Sequence, residues 1–216
     1  MERYETEEQQ VEAIKAFWKT NGTAIILGAV IGLGGLWGWR YYNDAQLENK
    51  AQASFAYNKI VESVSAGETQ TNTQLQSFIS EHNGTGYAAL AALIAAQQLV
   101  ISDDLEAAQA SLQDAINLAK SDAISDLAKL RLARVQAARE QFSVALTTLD
   151  SVINTSFKDQ VEEIKGDIYL AQKDFDSAKI AYANVLTNNE NNRDVAIKMS
   201  NLAYAATQVV GDSSED

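Results

Sequence analysis

The first feature of the chain is a long apolar stretch near its N-terminus. Residues 20–39 contain no charged side chain, and Lys19 and Arg40 close the stretch on either side. At 1.5 Å per residue, a helix of this length covers roughly the 30 Å hydrocarbon core of a bilayer, and it satisfies its own backbone hydrogen bonds there. The pattern predicts a membrane-spanning helix. We assign residues 22–42 to this anchor and residues 1–21 to an amphipathic tail that precedes it.

The ends of the stretch favour a retained anchor over a cleaved signal peptide. Trp18, Trp37 and Trp39, all the tryptophans of the chain, lie at its two ends, and aromatic rings prefer the headgroup layer of a membrane. A signal peptide has a short basic leader and small residues before the cleavage site, whereas here the leader is acidic and the exit reads WRYYND. We expect an uncleaved anchor, with a removed signal peptide as the alternative.

The basic residues around the anchor predict its orientation. Lys15 and Lys19 precede it, and Arg40 and Lys50 follow it. Positive side chains close to a span favour the cytoplasmic side, and the slight bias places the N-terminus in the cytoplasm. We therefore expect residues 43–216 to form a domain that faces away from the cytoplasm.

The tail before the anchor also has a helical pattern. Its apolar positions at helical spacing are Val11, Ile14, Phe17 and Trp18. Such an amphipathic helix either lies on the membrane surface and steadies the anchor or binds a partner helix. Asn21-Gly22 is predicted to break the helix before the span begins.

Within the anchor, small residues recur on one helical face. Gly28, Gly32 and Gly35 lie on this face, with Ala24 one turn earlier. Small residues let two membrane helices approach closely, so this stripe predicts a docking face for another membrane helix. The alternative is that glycine is simply common in membrane helices.

After the anchor, the chain has helical patterns to its end. Residues 45–66 contain no helix breaker before Gly67, and a short helix is predicted from Thr71 to His82, ending at Asn83-Gly84. The alanine-rich run from Tyr87 to Ala96 is too short to cross a membrane, and we expect a buried helix there. Proline is absent, and no alternating strand pattern occurs.

Three later segments share one pattern of bulky and small residues. They begin at Leu105, Phe142 and Phe175, so the spacing is 37 and then 33 residues. In each, an alanine follows three positions on and a bulky side chain four positions later: Ala108 and Leu112, Ala145 and Leu149, Ala178 and Tyr182. A small residue lies twelve positions before each of these alanines, at Ala96, Ala133 and Gly166. Small residues at these positions let paired helices touch.

This pattern resembles the tetratricopeptide repeat, a helix–turn–helix unit of about 34 residues that stacks on its neighbours. The last copy matches best, with Gly166, Tyr169, Ala178 and Tyr182 at the matching positions. The predicted fold class is all-α: a single N-terminal transmembrane helix followed by a tetratricopeptide repeat-like helical solenoid over residues 43–216.

In such arrays the first helix of each unit lines the concave surface. Phasing from the repeated alanines predicts a polypeptide-binding groove lined by Leu93, Gln97, Leu130, Arg131, Arg134, Glu163 and Asp167. Its apolar half would anchor apolar side chains of an extended or helical segment, and its charged half would set the register of that segment. Alternatively, Leu93 and Leu130 pack against the adjacent helix, and the C-terminal helix over residues 193–209 fills the groove.

Composition and charge narrow the chemistry. The formal net charge is −12, which disfavours nucleic-acid binding, and the absence of cysteine excludes thiolate metal sites and cysteine nucleophiles. His82 is the sole histidine, at a predicted helix C-terminus, where a structural role is expected. No phosphate loop, dinucleotide fingerprint or calcium loop occurs in the sequence. We expect no enzyme activity, no cofactor and no metal site.

Four stretches together resemble one family. QVEAIKAFWKTNG at residues 10–22, the glycine-rich span ending in GWRYYN, LRLARVQ at residues 130–136 and GDIYLAQKDFDSAKIAY at residues 166–182 are similar to the YfgM family of bacterial inner-membrane proteins. The resemblance implies a cytoplasmic N-terminus, a periplasmic repeat domain, and a role as an ancillary subunit of the SecYEG translocon beside the membrane-anchored chaperone PpiD.

Two classes of function remain open at this point. The first is a protein–protein interaction module that receives or hands on unfolded envelope proteins emerging at the translocon. The second is a structural scaffold of another envelope assembly, without client binding. An exposed apolar groove favours the first class, and a fully polar groove favours the second.

Overall fold

In the computed structural model, the chain is helical throughout most of the part that the structure describes, residues 7–67 and 71–212, and no strand occurs within it. The helices are α1 (Glu7–Ser65), α2 (Thr71–Glu81), α3 (Gly86–Ile101), α4 (Leu105–Leu118), α5 (Asp122–Ala138), α6 (Phe142–Asp150), α7 (Lys158–Ala171), α8 (Phe175–Asn188) and α9 (Arg193–Asp212). A short 3-10 helix, Thr155–Phe157, precedes α7. The predicted all-α class is confirmed. The chain divides into two compact units, Met1–Gln52 and Ala53–Asp216.

In the first unit, α1 carries the apolar stretch with its side chains exposed. Leu33 is 68% and Trp37 is 72% exposed. Only 6% of the most apolar window of this helix is buried, so the stretch is not packed as the core helix of a globular domain. By length and composition, α1 can cross a membrane, and it is the one helix among the described residues that can do so.

Helix α1 continues through Asn21 and Gly22, so the predicted break at this dipeptide is wrong. The Asn21 side-chain amide donates to the carbonyl oxygen of Phe17 at 3.2 Å, and the Thr20 hydroxyl donates to that of Ala16 at 3.0 Å. These polar side chains bond back onto the helix and therefore do not end it. The Trp18 ring also covers Gly22, within 3.3 Å of where a Cβ atom would lie.

The predicted helices that follow the anchor are confirmed. Helix α1 runs on to Ser65, and Gly67 then takes a left-handed backbone conformation with φ +72°. Helix α2 ends at Glu81, where the His82 N–H donates to the Phe78 carbonyl oxygen at 2.9 Å. Helix α3 is short and apolar, and its alanine-rich face is buried as expected.

The three repeated segments are the second helices of three consecutive helical hairpins. Helices α4, α6 and α8 begin at Leu105, Phe142 and Phe175, where the repeat pattern begins. The alanines of the pattern, Ala108, Ala145 and Ala178, are fully buried. Because each sits where its helix meets the preceding one, the small side chains set the close approach within each hairpin.

The turn inside each hairpin has the same backbone geometry. Asp103, Glu140 and Lys173 all take positive φ values of 60–63° without being glycine. The residue after each donates its N–H to a carbonyl oxygen five positions earlier, at 2.9 Å in all three turns. This is the helix-ending arrangement in which one left-handed residue satisfies the last carbonyl groups. The three hairpins therefore share one turn geometry, as consecutive units of a repeat array do.

The core of the second unit consists of four clusters, each built from helices close together in sequence. The clusters lie around Leu75 and Phe78 from the end of α1 to α3, around Leu112 in α3 to α5, around Leu149 and Ile164 in α5 to α7, and around Tyr182 and Val195 in α7 to α9. Each helix therefore packs mainly on its neighbours in the chain, which is the organisation of a solenoid.

Candidate functional site

A cavity of about 310 Å³ opens between the first helices of two consecutive hairpins, α3 and α5. The residues that line it are Leu93, Ala96, Gln97, Val100, Leu112, Arg131, Arg134 and Val135. Four of the seven residues predicted for the groove, Leu93, Gln97, Arg131 and Arg134, are therefore brought together here. They meet because positions 93 and 97 of α3, and 131 and 134 of α5, are one helical turn apart on each helix.

The floor of this cavity is the outer surface of a core cluster. Leu93, Leu112 and Val135 are buried and belong to the cluster shared by α3, α4 and α5. Val100 lies at the cavity with 43% of its surface exposed. An apolar side chain from outside would therefore contact a floor that is already packed and held in place.

Val100 was absent from the predicted groove, although its signal is present in the sequence. Leu93, Ala96 and Val100 follow one another at helical spacing, so they share a face of α3. Aligning the repeats on their shared alanines predicts which face of each helix lines the groove. It does not predict how far along the helix the lining extends. The prediction therefore did not include Val100, which lies in the last turn of α3.

Arg131 and Arg134 are both exposed at this cavity, and the described part of the chain offers neither of them an ion pair. Four other cations of the second unit do form ion pairs: Lys129 with Asp126, Arg139 with Glu106, Lys165 with Asp150, and Lys198 with Glu163 and Asp167. The cavity thus combines an apolar floor with two guanidinium groups that have no carboxylate partner among the described residues.

The structure places Leu130 away from this lining. It is 3% exposed and lies in the next cluster, with Ala133, Ala145 and Leu149. Neighbouring positions on a helix point about 100° apart, so Leu130 faces the following hairpin while Arg131 faces the cavity.

Glu163 and Asp167, on α7, contact the C-terminal helix. The Lys198 ammonium group of α9 donates to Glu163 Oε1 and to both carboxylate oxygens of Asp167, each at 2.7 Å. The Tyr182 hydroxyl donates to Asp167 Oδ1 at 2.8 Å. At this end of the predicted lining, Lys198 of α9 therefore contacts the two charged residues that were predicted to line the groove.

This network shifts two pKa values. Burial alone lowers the pKa of Lys198, but the hydrogen bonds and charges of Asp167 and Glu163 outweigh it and raise the pKa above 10.5. Burial, the hydrogen bond to Asp167 and the nearby carboxylates raise the pKa of the Tyr182 hydroxyl. Both groups therefore keep their protons at neutral pH, and α9 stays held by a charged contact.

In the first unit, the glycines predicted to form a docking face are open on their outer side. A Cβ atom added at Gly28, Gly32 or Gly35 would meet nothing within 4 Å. Among the described residues, nothing packs against this face. Across the same described residues, no group of three or more His, Cys, Asp or Glu side chains is placed to hold a metal ion.

Comparisons with known proteins agree with this architecture. A family model described as a tetratricopeptide repeat-like domain matches residues 15–204. A protein of Escherichia coli K12 named "Ancillary SecYEG translocon subunit" is 38% identical over 84% of this chain and 88% of its own length. Proteins with the same name from Haemophilus influenzae and Neisseria gonorrhoeae are 34% and 26% identical, over 82% and 83% of this chain and 86% and 87% of their own lengths. The name describes a subunit and not a catalytic activity.

Proposed function

This chain belongs to the YfgM family of ancillary SecYEG translocon subunits with a tetratricopeptide repeat-like domain, and from that premise we propose that it binds polypeptide segments beside the translocon. It is anchored in the bacterial inner membrane by residues 22–42, with residues 1–21 in the cytoplasm and residues 43–216 in the periplasm. Its repeat domain assists the passage or folding of envelope proteins together with a membrane-anchored chaperone of the PpiD kind.

The observation that carries this proposal is the cavity between α3 and α5. It has a buried apolar floor, a half-exposed Val100 and two arginines that have no ion-pair partner in the described part of the chain. This combination suits apolar and charged side chains of another chain. Concave sites of this kind, with few convergent polar groups, are the default binding sites of a fold. Helical repeat arrays use such surfaces to hold extended segments.

The membrane part of the proposal is supported by the first unit. Helix α1 can cross a bilayer, and Lys15 and Lys19 before the span favour a cytoplasmic N-terminus. The open glycine face around Gly28, Gly32 and Gly35 suits a neighbouring membrane helix, as a subunit of a membrane complex requires.

A second candidate function is a structural scaffold of an envelope assembly without client binding. The contact of Lys198 with Glu163 and Asp167 favours it, because this contact closes the charged half of the predicted groove. The two functions differ in whether the remaining cavity at α3 and α5 contacts chains in transit.

The test is site-specific photo-cross-linking in inner-membrane vesicles that carry the translocon and a stalled envelope-protein chain. A photoreactive residue replaces Gln97, which is exposed at the cavity, and the matched control replaces Lys179, which is exposed on α8. Cross-links from position 97 to the stalled chain, absent from position 179, are expected. Cross-links from position 97 only to other resident subunits, or none at all, would favour the scaffold.

A further inference from the structure

Two arginines, Arg131 and Arg134, line an apolar cavity in a strongly acidic chain. With a net charge of −12, acidic side chains are available to pair with cations, and Lys129, Lys165 and Lys198 are paired at 2.7–2.8 Å. Within the residues that the structure describes, Arg131 and Arg134 have no such partner, and both face the apolar cavity. Two like charges one helical turn apart repel each other, and a carboxylate placed between them offsets that repulsion.

The spacing of the two arginines suits one carboxylate ligand. Positions three apart on a helix have Cβ atoms about 5–6 Å apart on one face, so both guanidinium groups can reach the same carboxylate. Guanidinium groups form charge-assisted, often bidentate, hydrogen bonds with carboxylates, roughly twice as strong as neutral ones. A Lys or Arg side chain entering this cavity would be repelled.

The apolar floor lies directly beside these charges. Val135 of the floor directly follows Arg134 in α5, and both residues line the same cavity. A bulky apolar side chain on the floor and an acidic side chain at the arginines are therefore adjacent or nearly adjacent in the bound segment. The cavity, at about 310 Å³, has room for few side chains. It can therefore bind one apolar and one acidic side chain that are close together in a segment.

From this geometry we infer that the cavity selects segments in which an aspartate or glutamate lies next to a bulky apolar residue. The inference rests on the proposed function and names its ligand chemistry. The carboxylate is a side chain within the segment and not a chain end, because a polypeptide in passage through a translocon presents internal residues before its C-terminus has emerged.

The experiment measures the binding of fluorescent peptides to the full chain in lipid nanodiscs by anisotropy. The probes are Gly/Ser peptides with blocked ends whose centre reads Leu-Glu-Leu, Leu-Gln-Leu or Ser-Glu-Ser. We expect Leu-Glu-Leu to bind about tenfold or more tightly than either of the other two, and added salt to reduce its advantage over Leu-Gln-Leu. Arg131→Gln with Arg134→Gln should abolish the preference for Glu over Gln.

Two control variants distinguish the effect of net charge from the effect of the cavity itself. Lys158→Gln with Lys179→Gln makes the same change in net charge on exposed positions of α7 and α8, and it should leave the preference intact. Val100→Asn should weaken Leu-Glu-Leu and Leu-Gln-Leu alike, because it changes the apolar part of the cavity. Unchanged melting temperatures show that each variant is folded.

The outcomes distinguish failure of this inference from failure of the proposed function. If Leu-Glu-Leu and Leu-Gln-Leu bind equally and Val100→Asn weakens both, the groove stands and the selection for acidic segments is wrong. If a Leu-only peptide binds only with a free C-terminal carboxylate, the carboxylate source is a chain end, and the inference is also overturned. If no peptide binds, or Val100→Asn has no effect on binding, both the inference and the cavity as a binding site are wrong.

Discussion

Asp126 carries a buried negative charge that fixes the loop between the second and third hairpins. Its Oδ1 accepts from Lys129 Nζ at 2.8 Å, and its Oδ2 accepts from the backbone N–H groups of Ile153 and Asn154 at 3.1 and 2.8 Å. Burial alone raises the pKa of Asp126, but these hydrogen bonds outweigh it and hold the pKa below 3.8. The carboxylate is therefore ionised at neutral pH, and the loop depends on its charge.

We predict that Asp126→Asn costs about 2–4 kcal/mol of unfolding free energy at neutral pH, because the amide cannot accept these bonds as an anion and leaves Lys129 without its anionic partner. The folded-state pKa is depressed, so the stabilisation is present above 3.8 and is lost as the pH falls through the folded pKa. Urea unfolding of the full chain in detergent should show the gap in stability between wild type and variant narrowing as the pH is lowered below 3.8.

Asp114→Asn is the matched control for this measurement. Asp114 is exposed on α4, and replacing it should change stability by less than about 0.5 kcal/mol at either pH. An equally large gap at low and neutral pH would mean that the Asp126 charge is not what holds the loop.

At the scale of the helical hairpin, Gly166 and Tyr182 are matched to each other. A Cβ atom at Gly166 would lie within 2.6 Å of Tyr182 Cδ1, closer than any real contact. The other two hairpins place alanine and leucine at these positions: Ala96 with Leu112, and Ala133 with Leu149. The large ring in the third hairpin thus requires the missing methyl group opposite it.

Gly166→Ala should therefore destabilise the domain by about 1–3 kcal/mol through overpacking, measured by thermal or urea unfolding. Tyr182→Leu should also be destabilising alone, since it empties a buried site and removes the hydroxyl from Asp167. The double variant restores the pair used by the other hairpins, so its loss should be smaller than the sum by about 1 kcal/mol or more. Simple additivity would contradict the matching.

The anchor helix gives a second prediction at this scale. Replacing Gly28, Gly32 and Gly35 with leucine should weaken co-purification of membrane partners without releasing the protein from the membrane, because longer side chains keep helix backbones apart. Gly34→Leu with Gly38→Leu is the matched control, since these glycines lie on a different face of α1. If both variants co-purify the same amount of partner, the glycine stripe is not a docking face and only reflects how common glycine is in membrane helices.

The hairpins and their close contacts could be predicted from the sequence, because a repeat reveals positions that share one environment. Leu105, Phe142 and Phe175 mark helix starts for this reason. The contacts of Lys198 with Glu163 and Asp167 could not be predicted, since they join residues 31–35 positions apart outside the repeat pattern. Asn21-Gly22 misled the prediction because a turn-forming pair continues a helix once its side chain bonds back onto it.

For the whole molecule, the placement of the domain relative to the membrane is directly testable. Protease added to spheroplasts should digest residues 43–216, because Lys15 and Lys19 are expected to hold the N-terminal side in the cytoplasm. A soluble cytoplasmic protein in the same sample should remain intact. Survival of the domain until the inner membrane is lysed would reverse the proposed orientation.

The four separate core clusters have a consequence for how the domain is made. Each cluster is formed by helices that are close together in the chain, so the average contact order is low. An early helix can therefore pack without contacts from a helix far along the sequence. A domain of this kind can fold vectorially, one hairpin after another, while later residues are still being synthesised or exported. We expect the surface between α3 and α5 to be folded before α9 has left the translocon. Newly made copies can then bind a segment before their own synthesis ends.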